Sequence, residues 1–102
     1  EIAGFKQQEL INLGITMEEG FFFFLLIDTT GIADDDKYIY SISYEEIKER
    51  FLFGKIKNEE AKKKKIRKLF NGKLSQVIKL ICYVDGNYLF SVKLEEYKRI
   101  LA

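Results

Sequence analysis

The densest chemistry in this 102-residue chain is cationic. Lys62, Lys63, Lys64, Lys65, Arg67 and Lys68 all fall within NEEAKKKKIRKLFNG, the stretch from Asn58 to Gly72. Ammonium and guanidinium groups at this density can neutralise a polyanion, because each one seated on a phosphate releases a condensed counterion. A lysine run on an exposed helix is also commonly solvated surface without a partner, so the run alone decides nothing.

Other chemistry is poorly supplied. The absence of His removes the usual general base and the commonest zinc ligand. The one cysteine, Cys82, has no His to activate it and lies amid apolar strand residues, which reads as a buried, inert thiol. Carboxylate pairs stand at Glu18/Glu19, Glu45/Glu46, Glu59/Glu60 and Glu95/Glu96, each where a helix begins, so capping and the helix dipole account for them. Asp34, Asp35 and Asp36 lack the alternating ligands and set glycine of a calcium loop and read as solvated loop. Neither a Walker loop nor a glycine-rich dinucleotide fingerprint is present. The expectation is a protein that is no enzyme, with no catalytic residues, metal site or cofactor.

The cations need a helix to carry them, and both ends of one are marked. Asn58 can cap the first turn, Glu59 and Glu60 suit the dipole, and Gly72 can supply the left-handed residue that ends many helices. At 100° per residue, Leu69 and Phe70 fall beside Ile66, while Lys64 and Lys68 point away and Ala61, Lys65 and Arg67 flank them. Glu59 and Lys62 lie near the seam side. A thin apolar seam thus carries a cationic outer face.

Residues 5–13 read as a short helix ended by Gly14. Thr16 and Glu19 form a capping box that opens the apolar block Phe21–Ile27, expected as a largely buried helix running toward Gly31. Tyr38–Ser43 has strand composition, with Tyr38, Tyr40 and Ile42 on one face. Ser43 and Glu46 form a second capping box, opening a helix over Tyr44–Phe53 that stops near Gly54. After Gly72 the period becomes two: Gln76–Val84 and Asn87–Leu94 join across Asp85-Gly86, a strong hairpin signal. Glu95–Leu101 closes with a short helix whose inward residues are Tyr97, Ile100 and Leu101.

With 47% hydrophobic and 15% aromatic residues, the chain can build one core, and residues 1–102 are expected to form a single domain. It begins at Glu1, which reads as a fragment of a longer protein. The longest apolar run, the seven residues Phe21 to Ile27, is far short of the ~20 a membrane span needs. With one cysteine, the expectation is a soluble cytoplasmic protein with no membrane partner. The net charge of +1 hides an asymmetry: residues 1–47 carry two cations against ten acids (−8), and 48–102 carry fifteen against six (+9). The basic half is the side that would meet a polyanion.

The order from the second helix onward is helix, strand, helix, basic helix, hairpin, which is the order of an α+β winged helix-turn-helix. There the second helix of the motif lies in the major groove. A closer likeness rests on GITMEEGFFFFLLID, then YIYSISYEEIKERFLFG, then IKNEEAKKKKIRKLFNGKL. Together these resemble the N-terminal winged-helix domain of replication-initiation (replisome-organiser) proteins from phages and plasmids of low-GC Gram-positive bacteria, over roughly Gly14 to Leu94. The resemblance implies binding of origin DNA and recruitment of other replication proteins. Two departures stand out. Lys62 sits where that family commonly has an apolar residue, implying a half-buried stem with its head in solvent. Asn71-Gly72-Lys73-Leu74 replaces the family's Lys-Gly-Leu, leaving the start of the wing open.

On this reading double-stranded DNA meets Lys62, Lys63, Lys64, Lys65, Arg67 and Lys68, with Lys73, Lys79 and Lys93 adding backbone contacts from the wing. The tip, Asp85-Gly86-Asn87, has no cation. The alternative is a winged helix used for protein contact or homo-oligomerisation, for which exposed Tyr38, Tyr40, Tyr83, Tyr88 and Tyr97 would serve; the same tyrosines could simply pack the sheet. Lipid binding is the weakest option, since the apolar seam is needed for the core.

Overall fold

Nine regular elements follow one another in the computed structural model, which describes residues 4–31 and 39–100. They are α1 (Gln7–Leu13), α2 (Met17–Thr30), β1 (Ile39–Ser43), α3 (Tyr44–Arg50), α4 (Glu59–Asn71), a 3-10 turn (Lys73–Gln76), β2 (Ile78–Val84), β3 (Asn87–Val92) and α5 (Leu94–Ile100). The architecture is α+β, with five α-helices and a three-stranded antiparallel sheet in the order β1-β3-β2. Asp34, Asp35 and Asp36, expected as a solvated loop, and Lys37, Tyr38 and Leu101 lie outside the described residues.

α2 forms because its first turn is closed reciprocally. The Thr16 hydroxyl accepts the Glu19 N–H at 3.1 Å, and the Glu19 carboxylate accepts the Thr16 N–H at 3.1 Å. Phe22, Phe23, Leu25 and Leu26 are then buried, while Phe21 and Phe24 stay partly exposed. Phe22 meets Phe70 of α4 edge-on at 5.2 Å, and Phe23 stacks on Phe5 at 5.3 Å and meets Tyr97 of α5 edge-on at 5.9 Å. Among the described residues no single helix is long and apolar enough to cross a membrane. Only α1 and α2 together reach that length, as a pair bent by 116°.

Tyr40 and Ile42 of β1, Tyr88, Phe90 and Val92 of β3 and Ile78 of β2 face the core. The hairpin turns on Asp85 (φ 50) and Gly86 (φ 77), both in the left-handed region that a two-residue turn of this kind requires. The expected strand ends are trimmed: Gln76 lies in the 3-10 turn, donating to the Leu13 and Lys73 carbonyls at 2.8 Å, and Leu94 starts α5.

Three expectations fail locally. α3 stops at Arg50 instead of reaching Phe53. Phe51 leaves the helix in an extended conformation (φ −96, ψ 135), and its buried ring meets Phe22 edge-on at 5.6 Å. Leu52 is consequently turned out, 84% exposed. The Ser43 hydroxyl accepts the Glu46 N–H at 3.1 Å, but the return bond from the Glu46 side chain is missing, and Ser43 is already the last residue of β1. Cys82, expected inside, is exposed. A bulge between Leu80 and Cys82 inserts one residue and reverses the alternation, so Cys82 pairs with Leu89 on the outer face while Tyr83 pairs with Tyr88 on the inner one.

Gly72 is the fourth correction. It ends α4 at φ −80 and ψ −141, outside the left-handed region. Close approach is the reason for glycine there, since a Cβ would lie 2.8 Å from a Glu19 carboxylate oxygen and 3.1 Å from the Lys68 carbonyl oxygen. Gly72→Ala is therefore expected to destabilise the fold through overpacking by about 1–3 kcal/mol. Chemical denaturation checks this, and an unchanged midpoint would contradict the close packing.

Candidate nucleic-acid interface

α4 packs through a narrow seam. Asn58 caps it, its side chain accepting the Ala61 N–H at 3.1 Å, and only Ile66, Leu69 and Phe70 are buried. Phe70 joins the sheet, 5.9 Å from Tyr88 and 5.6 Å from Phe90 between ring centroids. With so narrow a seam, most of the cylinder is left to face outward.

The cations divide into three groups. Lys64, Arg67 and Lys68 are exposed and, among the described residues, make no ion pair or side-chain hydrogen bond. With Ala61 and Asn71, also exposed, their spacing traces one outward stripe along α4. Lys62 and Lys65 are half-buried and tied back to the protein. The Lys62 ammonium lies 5.6 Å from the Phe53 ring centre, and Lys65 pairs with Glu18 of α2 at 2.6 Å. Lys62 is half-buried, as expected of it.

Lys63 sits apart from both groups. Its ammonium lies 5.3 Å from the Tyr44 ring centre, 5.5 Å from that of Tyr83 and 3.7 Å from a Glu60 carboxylate oxygen. Glu60, Lys63, Arg67, Tyr83 and Tyr88 line one recess between α4 and the hairpin. The rings of Tyr83 and Tyr88 are 4.5 Å apart. Burial, reinforced by the neighbouring Tyr83, pushes the Tyr88 hydroxyl up to about 12, so it remains protonated at neutral pH.

The remaining expected cations lie elsewhere. Lys73 packs its aliphatic stem beside Gly14 and donates its backbone N–H to Glu19 at 2.8 Å. The Lys93 ammonium donates to the Ser75 carbonyl at 3.0 Å. Lys79 pairs with Ser91 on the sheet face opposite the one that Phe70 packs against. The structure therefore gathers the α4 cations and disperses these three. Of the tyrosines considered for protein contact, Tyr40, Tyr88 and Tyr97 are buried and Tyr83 is 41% exposed. Met17, Phe21 and Leu52 are also exposed, around one shallow depression.

A polar latch fixes α4 against α3. The Tyr44 hydroxyl donates to Glu59, and Lys48 lies 3.2 Å from Glu45 and 3.7 Å from Glu59. Sequence reading missed it because its members are 15 residues apart and come from different helices. Tyr83 was legible in principle, since a two-residue turn at Asp85-Gly86 places it opposite Tyr88. Among the described residues no three of His, Cys, Asp and Glu come together as a metal site. No protein-family model matches this chain, and neither a curated protein nor a solved structure matches it significantly.

The latch has a pH signature. The Tyr44 hydrogen bond first, then the charge of Lys48, holds Glu59 below the usual carboxylate range, while burial and the Glu59 contact raise Tyr44 well above the usual tyrosine value. A depressed carboxylate stabilises fully above its unfolded-state pKa and loses that contribution as pH falls through the lower folded-state value. Tyr44→Phe removes the donor. Glu59 should then titrate closer to the ordinary carboxylate value, so the variant should be less stable near neutral pH and lose less stability on acidification, its gap from the parent closing as Glu59 becomes protonated in both. Acid titration followed by circular dichroism checks this; coincident curves would show that the latch carries no stability.

Proposed function

We propose that the chain is a winged helix-turn-helix domain that binds double-stranded DNA through α4, acting in phage or plasmid replication initiation. The observation that carries this is the outward stripe of Lys64, Arg67 and Lys68, unpaired among the described residues, on the second helix of a helix-turn-helix-like pair. The strand order β1-β3-β2 and a hairpin that follows α4 after one 3-10 turn agree with a winged arrangement. Replication initiation is supported by the resemblance of residues 14–94 described above. In that role the domain would work in the cytoplasm, bring no catalysis of its own, and have other replication proteins as further partners.

Lysine acts mainly as a point charge on phosphate, whereas one arginine can read guanine bidentately. The stripe holds one Arg and two Lys, so a monomer is expected to bind with strong salt dependence and modest sequence preference. Three neutralised phosphates give a log–log salt slope of about −2.7, and each further contact adds about −0.9. Fluorescence anisotropy with a labelled random duplex between about 25 and 300 mM salt measures that slope. Charge reversal at Lys64 and Lys68 together should abolish binding with the fold intact by circular dichroism; unchanged binding would remove α4 from the interface.

The protein-contact reading is favoured by one observation, the exposure of Met17 (80%), Phe21 (50%) and Leu52 (84%) around a single shallow depression. Its mark in the same preparation would be self-association in sedimentation without any affinity for the duplex.

A further inference from the structure

We propose that the recess between α4 and the hairpin seats one phosphodiester of the duplex backbone, with Lys63 and Arg67 supplying charge and the Tyr83 hydroxyl a neutral donor, and that Glu60 competes for the same cation in the free protein. This rests on α4 being the DNA-facing helix. Residues four apart on a helix share a side, so Lys63 and Arg67 approach one point from the same wall. Tyr83 forms the opposite wall, carried there by the bulge at Leu80/Cys82 and backed by Tyr88.

The site is built before any ligand arrives. Lying over the Tyr44 and Tyr83 rings, Lys63 has already given up much of its side-chain freedom, so an anion bound there costs less ordering. Its only ion pair among the described residues is with Glu60, at 3.7 Å, and the Glu60 side chain is 80% exposed. An exposed pair this long holds weakly. The Glu60 oxygen therefore marks where an anionic oxygen sits against Lys63, and a phosphodiester oxygen can replace it. Two cations against one carboxylate leave the recess at +1, which matches the single charge of a phosphodiester.

The recess also answers a difficulty in the hairpin. Its tip, Asp85-Gly86, has no cation, and the Tyr44 N–H binds the Gly86 carbonyl at 2.9 Å, tying the turn to the start of α3. Such a turn cannot project to grip the backbone. Contact from the hairpin has to come from its inner flank, where Tyr83 is 41% exposed.

The test uses the same labelled duplex across several salt concentrations, with four single variants. Arg67→Gln should weaken binding and flatten the log–log slope by about one phosphate's worth, ~0.9. Tyr83→Phe should weaken binding about tenfold at every salt concentration without changing the slope, because a neutral donor releases no counterion. Glu60→Gln should strengthen binding several-fold by freeing Lys63. Lys64→Glu reports on the helix face as a whole. If it abolishes binding while the other three bind as the parent does, the recess is no phosphate seat although α4 still binds DNA. If the parent chain does not bind at the lowest salt, both proposals fall.

Discussion

A single carboxylate sets the geometry on which the basic helix depends. Glu19, 8% exposed, accepts hydrogen bonds from the Thr16 N–H, the Thr16 hydroxyl and the Lys73 N–H. It closes the first turn of α2 and, with the same group, receives the chain as it leaves α4. One buried carboxylate thus satisfies two backbone donors that belong to different parts of the chain. Gly72 has no side chain because that carboxylate occupies the space a Cβ would take. The C-terminal end of α4 is thus fixed by a polar contact across 54 residues, while its N-terminal half is fixed by Tyr44 and Lys48 around Glu59.

Those two polar fixtures explain how a helix with only three buried residues stays in place. The apolar seam of Ile66, Leu69 and Phe70 supplies attraction without direction, and the hydrogen bonds at each end supply direction. Because orientation is secured at the ends, the middle of α4 is free to carry charge. Lys62 and Lys65 are drawn back onto Phe53 and Glu18, which leaves Lys64, Arg67 and Lys68 outward. The even run of lysines in the sequence becomes, in three dimensions, a stripe with a defined edge and a recess beside it.

What could be read from the chain alone was whatever is decided within a few residues. Asn58 marked the start of α4, Thr16 and Glu19 marked α2, and Asp85-Gly86 marked the hairpin, because caps and two-residue turns are local hydrogen-bond arrangements. The α+β class and the alternation of Tyr40 and Ile42 followed from periodicity. Non-local decisions were out of reach. Phe51 leaves its helix because Phe22 and the core around it accept its ring, and Cys82 faces out because an edge strand takes a bulge. Gly72 looked like a helix terminator and is instead a neighbour of Glu19. At the candidate site the residue types were evident from the lysine run. The split into free, tethered and recessed cations was not, because it depends on partners from α2, α3 and the hairpin.

Amide chemical-shift mapping during titration with a short duplex shows whether one face of α4 meets the DNA. Perturbations should concentrate at Ala61, Lys64, Arg67, Lys68 and Asn71 and extend to Tyr83, with the outer sheet face around Lys79 and Ser91 unmoved. Shifts confined to that outer face, or to the surface around Met17, Phe21 and Leu52, would contradict that contact.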